Sequence, residues 1–305
     1  MAANNSIHLE VGNVSWDAQL GGYYQDFREA VYHFENNSIG VFDDHGIPIL
    51  IDGDRKYYSV VYIIQYALMQ HEFIVHNENV EERTKHLENC MHWLDANSEE
   101  FKDSIVWRSV DNYHYNLKEG WISAMYQGQA ISLYLRAAQL LNNPTYISTA
   151  EKIFQFFKYD YAEGGAKRTD ERGYVWLEEY PTEKPSYVLN GFIYALFGVV
   201  DLYRVTQNEE AKSLYDNCLK TLENNVMKYD RFYWSVYDQL KNELVSSYYQ
   251  KNVHIPLMKI MFKLTNKPIF EKLSIKWQKQ LNSKFCKAIV FIMYRIQPRL
   301  MKFYK

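Results

Sequence analysis

Hydrophobic positions along the chain fall into eight stretches of helical periodicity, and the stretches come in four pairs. The first pair is KYYSVVYIIQYALMQHEF (56–73), apolar nearly all round, then VEERTKHLENCMHWLDAN (80–97), with Val80, Leu87, Met91 and Leu94 on one stripe. The second runs from Trp121 to Leu141, striped by Trp121, Met125, Gly128, Ile131, Leu135 and Ala138, then from Tyr146 to Phe157. The third is VLNGFIYALFGVVDLY (188–203) and the stretch from Ala211 to Met227; the fourth is VHIPLMKIMFKL (253–264) and FEKLSIKWQKQL (270–281). In each pair a helix apolar on several sides precedes one apolar on a single stripe, the pattern of an inner helix followed by an outer one.

The inner stretches begin near 57, 121, 188 and 253, a spacing of about 65 residues. This predicts an all-α fold, an α/α toroid or incomplete barrel of about four inner/outer hairpins. Parallel inner helices would bring the connections 98–120, 158–187 and 228–252 to one rim. Their runs IVWRSV, GYVWLEEYP and RFYWSVYD read as short β-ribbons. Loops this long in a compact domain are usually functional, and helix N-termini on the same rim favour anions. The expected division is an N-terminal extension with a small β-hairpin (1–55, VFDDHGIPILIDG turning at His45-Gly46), the toroid (56–284) and a basic, apolar C-terminal tail (285–305). The tail reads as a packed helix or as a segment that meets a membrane surface or a partner, with Pro298 breaking it.

Composition narrows the classes. A net charge of −3 and the lack of a basic block interleaved with aromatics argue against nucleic acid as a partner. No apolar run approaches the ~20 residues that span a bilayer. The start MAANNSIHLEVG lacks the pattern of a secretory signal, so the expected location is the cytoplasm or the inner face of its membrane. Cys90, Cys218 and Cys286 have no zinc-like spacing and read as reduced core thiols; no metal site or cofactor is expected. Tyrosine is abundant, at 27 residues. It suits an inner surface that stacks on and hydrogen-bonds to sugars.

Two stretches are more specific than composition: EGWISAMYQGQAISLYLRA (119–137) and WLEEYPTEKPSYVLNGFIYAL (176–196). Both resemble the D-glucuronyl C5-epimerase family, through G-W-x-S-A-M-x-Q-G-Q-A-I-S, E-E-Y-P-T and V-L-N-G-F. The resemblance extends more weakly from about Tyr57 to Leu281 and covers the helical domain only. It implies an α/α barrel with a cleft on the loop rim, a homodimer, and conversion of D-glucuronate to L-iduronate in a heparosan-like acidic poly- or oligosaccharide. It also implies catalytic roles for Glu179 and Tyr180, for Tyr237 of a Tyr-Asp motif, and for a tyrosine shortly before a His-Ile motif. The family places that tyrosine four residues before the histidine. Here Gln250 stands four before His254, Tyr249 five before, and Tyr248 is the spare. Asn190 matches the asparagine of V-L-N-G-F. The arginine that follows Tyr-Asp in the family is replaced by Gln239, Leu240 and Lys241.

Epimerisation at C5 removes a proton α to a carboxylate and returns one to the opposite face, so groups are needed on both faces. It also needs donors or cations for the developing enediolate. The expected base is Glu179, with Tyr249 or Tyr237 as donor opposite. Tyr180, Asn190, Lys241 and helix N-termini are candidates for the enediolate, and Gln127, Gln129, Trp121 and His254 for other substrate contacts. Glu178 reads as a solvated charge or a loop-positioning acceptor; Lys167, Arg168 and Arg172 read as contacts for acidic groups or as surface charge. Two alternatives stay open: a uronate lyase or glycoside hydrolase on the same toroid, the latter pairing Glu179 with Asp238 or Glu119, and a silent sugar-binding protein.

Overall fold

The computed structural model describes residues 7–36 and 41–301, with side chains described to residue 296. Four helical hairpins follow one another: α2 (Val60–Val75) with α3 (Val80–Ala96), α4 (Ala124–Leu140) with α5 (Thr145–Gln155), α6 (Leu189–Thr206) with α7 (Glu209–Asn225), and α9 (Ile255–Thr265) with α10 (Pro268–Asn282). α1 (Arg28–Asn36) precedes them, and α8 (Ser247–Tyr249), a single turn, leads into α9. The fold is the expected all-α toroid. α2, α4, α6 and α9 form its inner ring: α4 is buried without a break from Ala124 to Ala138, whereas α7 buries one face through Ala211, Tyr215, Cys218 and Leu222. In α3, Leu87, Met91 and Leu94 are buried as the stripe requires, but Val80, in the first turn, is exposed.

α4 and α6 cross closely because both carry glycine at the contact. A Cβ on Gly128 would stand closer than 3.0 Å to the Ala195 backbone, and one on Gly198 would meet the backbone of Gly128. Start signals are local. Ser123 caps α4 by accepting the Met125 N–H (3.1 Å), and Asn208 caps α7 by accepting that of Ala211 (3.0 Å).

The three rim connections hold short antiparallel ribbons: β6 (Glu99–Phe101) with β7 (Ser104–Val106), β8 (Lys167–Thr169) with β9 (Val175–Leu177), and isolated bridges Asp230↔Ser235 and Val236↔Leu244. Ahead of α2, β3 (Val41–Phe42), β4 (Pro48–Asp52) and β5 (Arg55–Tyr57) form a three-stranded antiparallel sheet, its first turn carrying Gly46 at φ 77°.

The segment before α1 is embedded in the toroid. β1 (Glu10–Val11) pairs with β2 (Gln25–Asp26), and Tyr23 and Tyr24 between them are fully buried. Tyr24 stacks on Phe197 of α6 (4.3 Å between centroids, 20°) and donates to Asp201 (2.8 Å). Arg136 reaches the carbonyls of Gly21 and Gly22, and Arg204 that of Asp17. At the other end α11 (Lys284–Met301) is one helix, and Pro298 does not break it. Proline inside a helix removes a single hydrogen bond and kinks more readily than it terminates. Among the described residues, no helix is long and apolar enough to cross a membrane.

Candidate active site

The first turns of the inner helices converge on one cavity of about 510 Å³. Tyr62 comes from α2, Met125 from α4, Asn190 from α6, and Tyr249 with Val253 from the turns that lead into α9. Parallel inner helices therefore gather their N-terminal ends at the rim, as the four-pair pattern requires. Leu9, Phe27, Val31 and Phe34 close the cavity from the N-terminal side. A second lobe of about 330 Å³ is lined by Arg108, Asp111, Trp121 and Tyr180, among others, and shares Tyr62, Met125 and Glu179 with the first. Glu179 thus stands where the lobes meet.

The β8–β9 hairpin delivers Glu179. As β9 ends, Glu178 donates its N–H to Ala166 O (2.8 Å) and accepts the Ala124 N–H at its own carbonyl (2.9 Å), which fixes the strand end against the start of α4. Its carboxyl accepts from Ser186 Oγ (2.7 Å) and the Tyr187 N–H (3.0 Å). Tyr187 lies in the left-handed region (φ 47°), so this carboxyl holds the strained turn before α6. Glu178 is the loop-positioning acceptor, buried rather than solvated. Burial pushes its carboxyl up to about 7, against the hydrogen bonds from Ser186 and Tyr187 and the charge of Arg168.

Glu179 is 4% exposed. Its Oε1 accepts from Tyr237 Oη (3.1 Å), while Oε2 is buried without a hydrogen-bond partner. The carboxyl packs onto the first turn of α6, where a Cβ on Gly191 would collide with it. Burial raises it to about 7; the polar side chains of Tyr180, Tyr237 and Asn190 beside it lower it and the nearby charge of Asp238 raises it further. Burial likewise drives the hydroxyls of Tyr180, Tyr237 and Tyr249 well above the ordinary tyrosine value, and the Glu179 charge adds to this in all three. These phenols hold their protons. Tyr237 also meets Tyr249 edge to face (5.6 Å, 68°).

The extra residue between Tyr249 and His254 is absorbed in a π-helical turn, Gln250–His254, closed by the Ile255 N–H on Gln250 O. A π-turn is an α-turn with one residue added. Tyr249 consequently lies against His254 (5.3 Å, 80°), five residues on. Gln250 points away: it accepts from Ser235 Oγ (2.9 Å) and donates to Trp277 O (3.2 Å). His254 is fully buried, hydrogen-bonded through Nδ1 to Ser235 Oγ (2.9 Å) and tilted against Trp277. Desolvation pushes its imidazole down to about 3, so it is neutral. It supports Tyr249 from beneath and does not line the cavity.

Other candidates divide. Asn190 lines the first lobe with Oδ1 unpartnered, and Trp121 lines the second, tilted against Tyr180 (5.5 Å) and anchored by Nε1 to Val110 O (2.8 Å). Gln127 and Gln129 are buried within α4 and line neither lobe. Gln127 donates to Ile105 O (2.9 Å), and Gln129 accepts from Gln65 (3.3 Å). Lys241 also lies outside both lobes. Its ammonium donates to His114 O and sits 5.0 Å from the Tyr115 ring centre. A backbone carbonyl and an aromatic face thus hold the Lys241 amine away from the two lobes. Asp238 is committed to Tyr115 Oη and the N–H groups of Lys241 and Asn242, and Glu119 is exposed. Lys167, Arg168 and Arg172 line a separate, more open hollow of about 680 Å³.

Sequence reasoning missed Tyr115, which stacks on Tyr180 (4.1 Å, 15°) and ties it to Asp238. It missed Gly191 too, although the V-L-N-G-F motif contains it. Among the described residues, no group of three or more His, Cys, Asp or Glu side chains is placed to hold a metal ion.

An inner ring of parallel helices with an aromatic, carboxyl-bearing cleft at its loop rim defines the class, the α/α toroids. Within that class the chain belongs to the D-glucuronyl C5-epimerase C-terminus family, whose model matches residues 100–279. It is 31% identical over 189 residues to the D-glucuronyl C5-epimerase of Caenorhabditis elegans, covering 56% of this chain and 30% of that protein. It is also 31% identical over 178 residues to an uncharacterized protein of Methanocaldococcus jannaschii, covering 57% of each. The chain thus spans a third or less of the first relative and just over half of the second. In fold it resembles the cellobiose 2-epimerase of Bacillus thermoamylovorans B4167, with a TM-score of 0.53 at 12% identity over 85% of this chain and 72% of that one.

Proposed function

We propose that the protein is an epimerase that inverts C5 of D-glucuronate to L-iduronate within a heparosan-like poly- or oligosaccharide. The observation that carries this reading is Glu179: a buried carboxyl held near neutrality, one oxygen on the Tyr237 hydroxyl and the other unpartnered where two lobes of a cleft meet. A chain lying across both lobes would present an internal residue to this carboxyl.

Glu179, ionised, takes the C5 proton from one face, and Tyr249 donates a proton to the other. Tyr249 approaches as a phenol, since its hydroxyl is held well above the ordinary value and serves as an acid. Tyr237 hydrogen-bonds to Glu179 and lies against Tyr249, so the proton taken by Glu179 passes through Tyr237 to the Tyr249 phenolate and resets the site. Among the described residues that line the two lobes the one cation is Arg108, and it is paired with Glu99 (2.8 Å). Stabilisation of the enediolate therefore falls to neutral donors, the Asn190 amide and the hydroxyl of Tyr180, with the N-terminal dipole of α6.

The test is incubation with non-sulfated glucuronate oligosaccharides in D2O, followed by NMR at C5, beside Glu179→Gln. Deuterium at C5 together with iduronate resonances, both lost in the variant, is the expected result. Unsaturated or shortened products would replace the epimerase reading with a lyase or a hydrolase, and no exchange on any such substrate would overturn it.

A further inference from the structure

α11 presents one face to the core and another to solvent. Its inner face, Cys286, Val290 and Met293, packs on the core, and Tyr294 Oη donates to Val245 O (2.7 Å), fastening it to the rim connection that bears Tyr237 and Tyr249. Phe285, Ile292 and Ile296 project elsewhere. At spacings of seven and four residues they share one helical stripe, and they are 68%, 53% and 39% exposed. Phe291, 56% exposed, lies about 100° round the helix from Ile292, under the Arg295 guanidinium (4.0 Å).

Charge identifies the occupant. Every charged residue of α11 from Lys284 to Ile296 is a cation: Lys284, Lys287 and Arg295. Across 267–296 cations outnumber acids seven to one in a chain whose net charge is −3. Exposed aromatic and aliphatic side chains flanked only by Lys and Arg, on a helix that over its described residues is not long and apolar enough to cross a bilayer, are the chemistry of an interfacial helix on an anionic membrane. A second copy of the chain would bring the same cations against themselves. We propose that α11 docks the protein on an anionic membrane surface, with Phe285, Ile292 and Ile296 entering the headgroup boundary and Lys284, Lys287 and Arg295 meeting lipid phosphates.

The experiment is co-sedimentation of the full chain with phosphatidylcholine vesicles, with and without phosphatidylglycerol, beside sedimentation equilibrium. Binding should require phosphatidylglycerol and weaken with salt. It should fall by about tenfold or more in Phe285→Glu/Ile292→Glu, and similarly in Lys284→Glu/Lys287→Glu, which leaves the apolar stripe intact. Because these positions are exposed, circular dichroism should show both variants folded. Absence of phosphatidylglycerol-dependent binding by the wild type would overturn the proposal. So would a dimer that Phe285→Glu/Ile292→Glu dissociates without any loss of vesicle binding.

Discussion

At the scale of single residues the proposed chemistry depends on one carboxyl that is buried and must still ionise. Glu179 titrates near 7 in the folded chain against about 4.5 when unperturbed, with desolvation as the main cause. A base must be ionised, so C5 exchange should rise as pH increases through about 7 and level off above it; a flat profile from pH 5 to 9 would exclude Glu179 as the base. The same shift has a stability consequence of opposite sense. Between the two values the folded state binds more protons than the unfolded, so this group's contribution to stability falls as pH rises from about 4.5 to about 7. Glu179→Gln keeps a group that can accept from Tyr237 but never ionises. Thermal unfolding should therefore show it more stable than wild type at pH 8, with most of the advantage gone at pH 4. Glu179, Tyr180, Tyr237 and Asn190 were legible because they lie inside motifs. The place of Lys241 was not legible because sequence gives the charge of a side chain and not the carbonyl that captures it, and Tyr115 lies in a connection with no periodicity to assign it a face.

At the scale of elements, helix periodicity located all four hairpins, since burial on one or several sides leaves its mark along the chain. The π-turn left no such mark. Tyr249 stands five rather than four residues before His254, yet the backbone keeps its helical course and widens one turn, Gln250–His254. Gln250, which stands in the expected tyrosine's place, is directed onto Ser235 and Trp277. Tyr249→Phe should therefore reduce formation of the C5-inverted product by about 100-fold or more, the loss of a general acid. The exchanged pair Tyr249→Gln/Gln250→Tyr should not recover it; recovery would show that the turn does not set the register. The α4–α6 crossing carries a separate expectation. Gly128→Ala forces a methyl group against the Ala195 backbone, and overpacking of this kind should lower stability by about 1–3 kcal/mol in urea unfolding.

At the scale of the whole molecule, the segment before α1, expected as part of an extension, holds the far end of the inner ring together. Hydrophobic periodicity could not show this, because the segment has almost no regular structure and is placed by backbone carbonyls and one polar cluster. The centre of that cluster is Asp201, fully buried. Oδ2 accepts from Arg136 (2.5 Å) and Ser132 (2.7 Å), and Oδ1 from Arg204 (2.9 Å) and Tyr24 (2.8 Å). Both guanidinium groups then reach the segment, Arg136 at Gly21 and Gly22, Arg204 at Ser15 and Asp17. Removing the single anion would leave two buried cations facing each other. Breaking such a group costs about 3–5 kcal/mol, and Asp201→Asn should lower unfolding stability by that amount. Asp201 lies eleven residues along α6 from Asn190, about 16 Å at helical rise. If the cluster acts only as a clamp, the folded fraction of Asp201→Asn should keep its C5 exchange once corrected for stability. The clamped segment also brings Leu9 and Phe27 to the cavity wall, however. A loss of exchange greater than the unfolded fraction explains would mean that the segment shapes the cleft through this cluster, so that the two ends of the toroid are mechanically one.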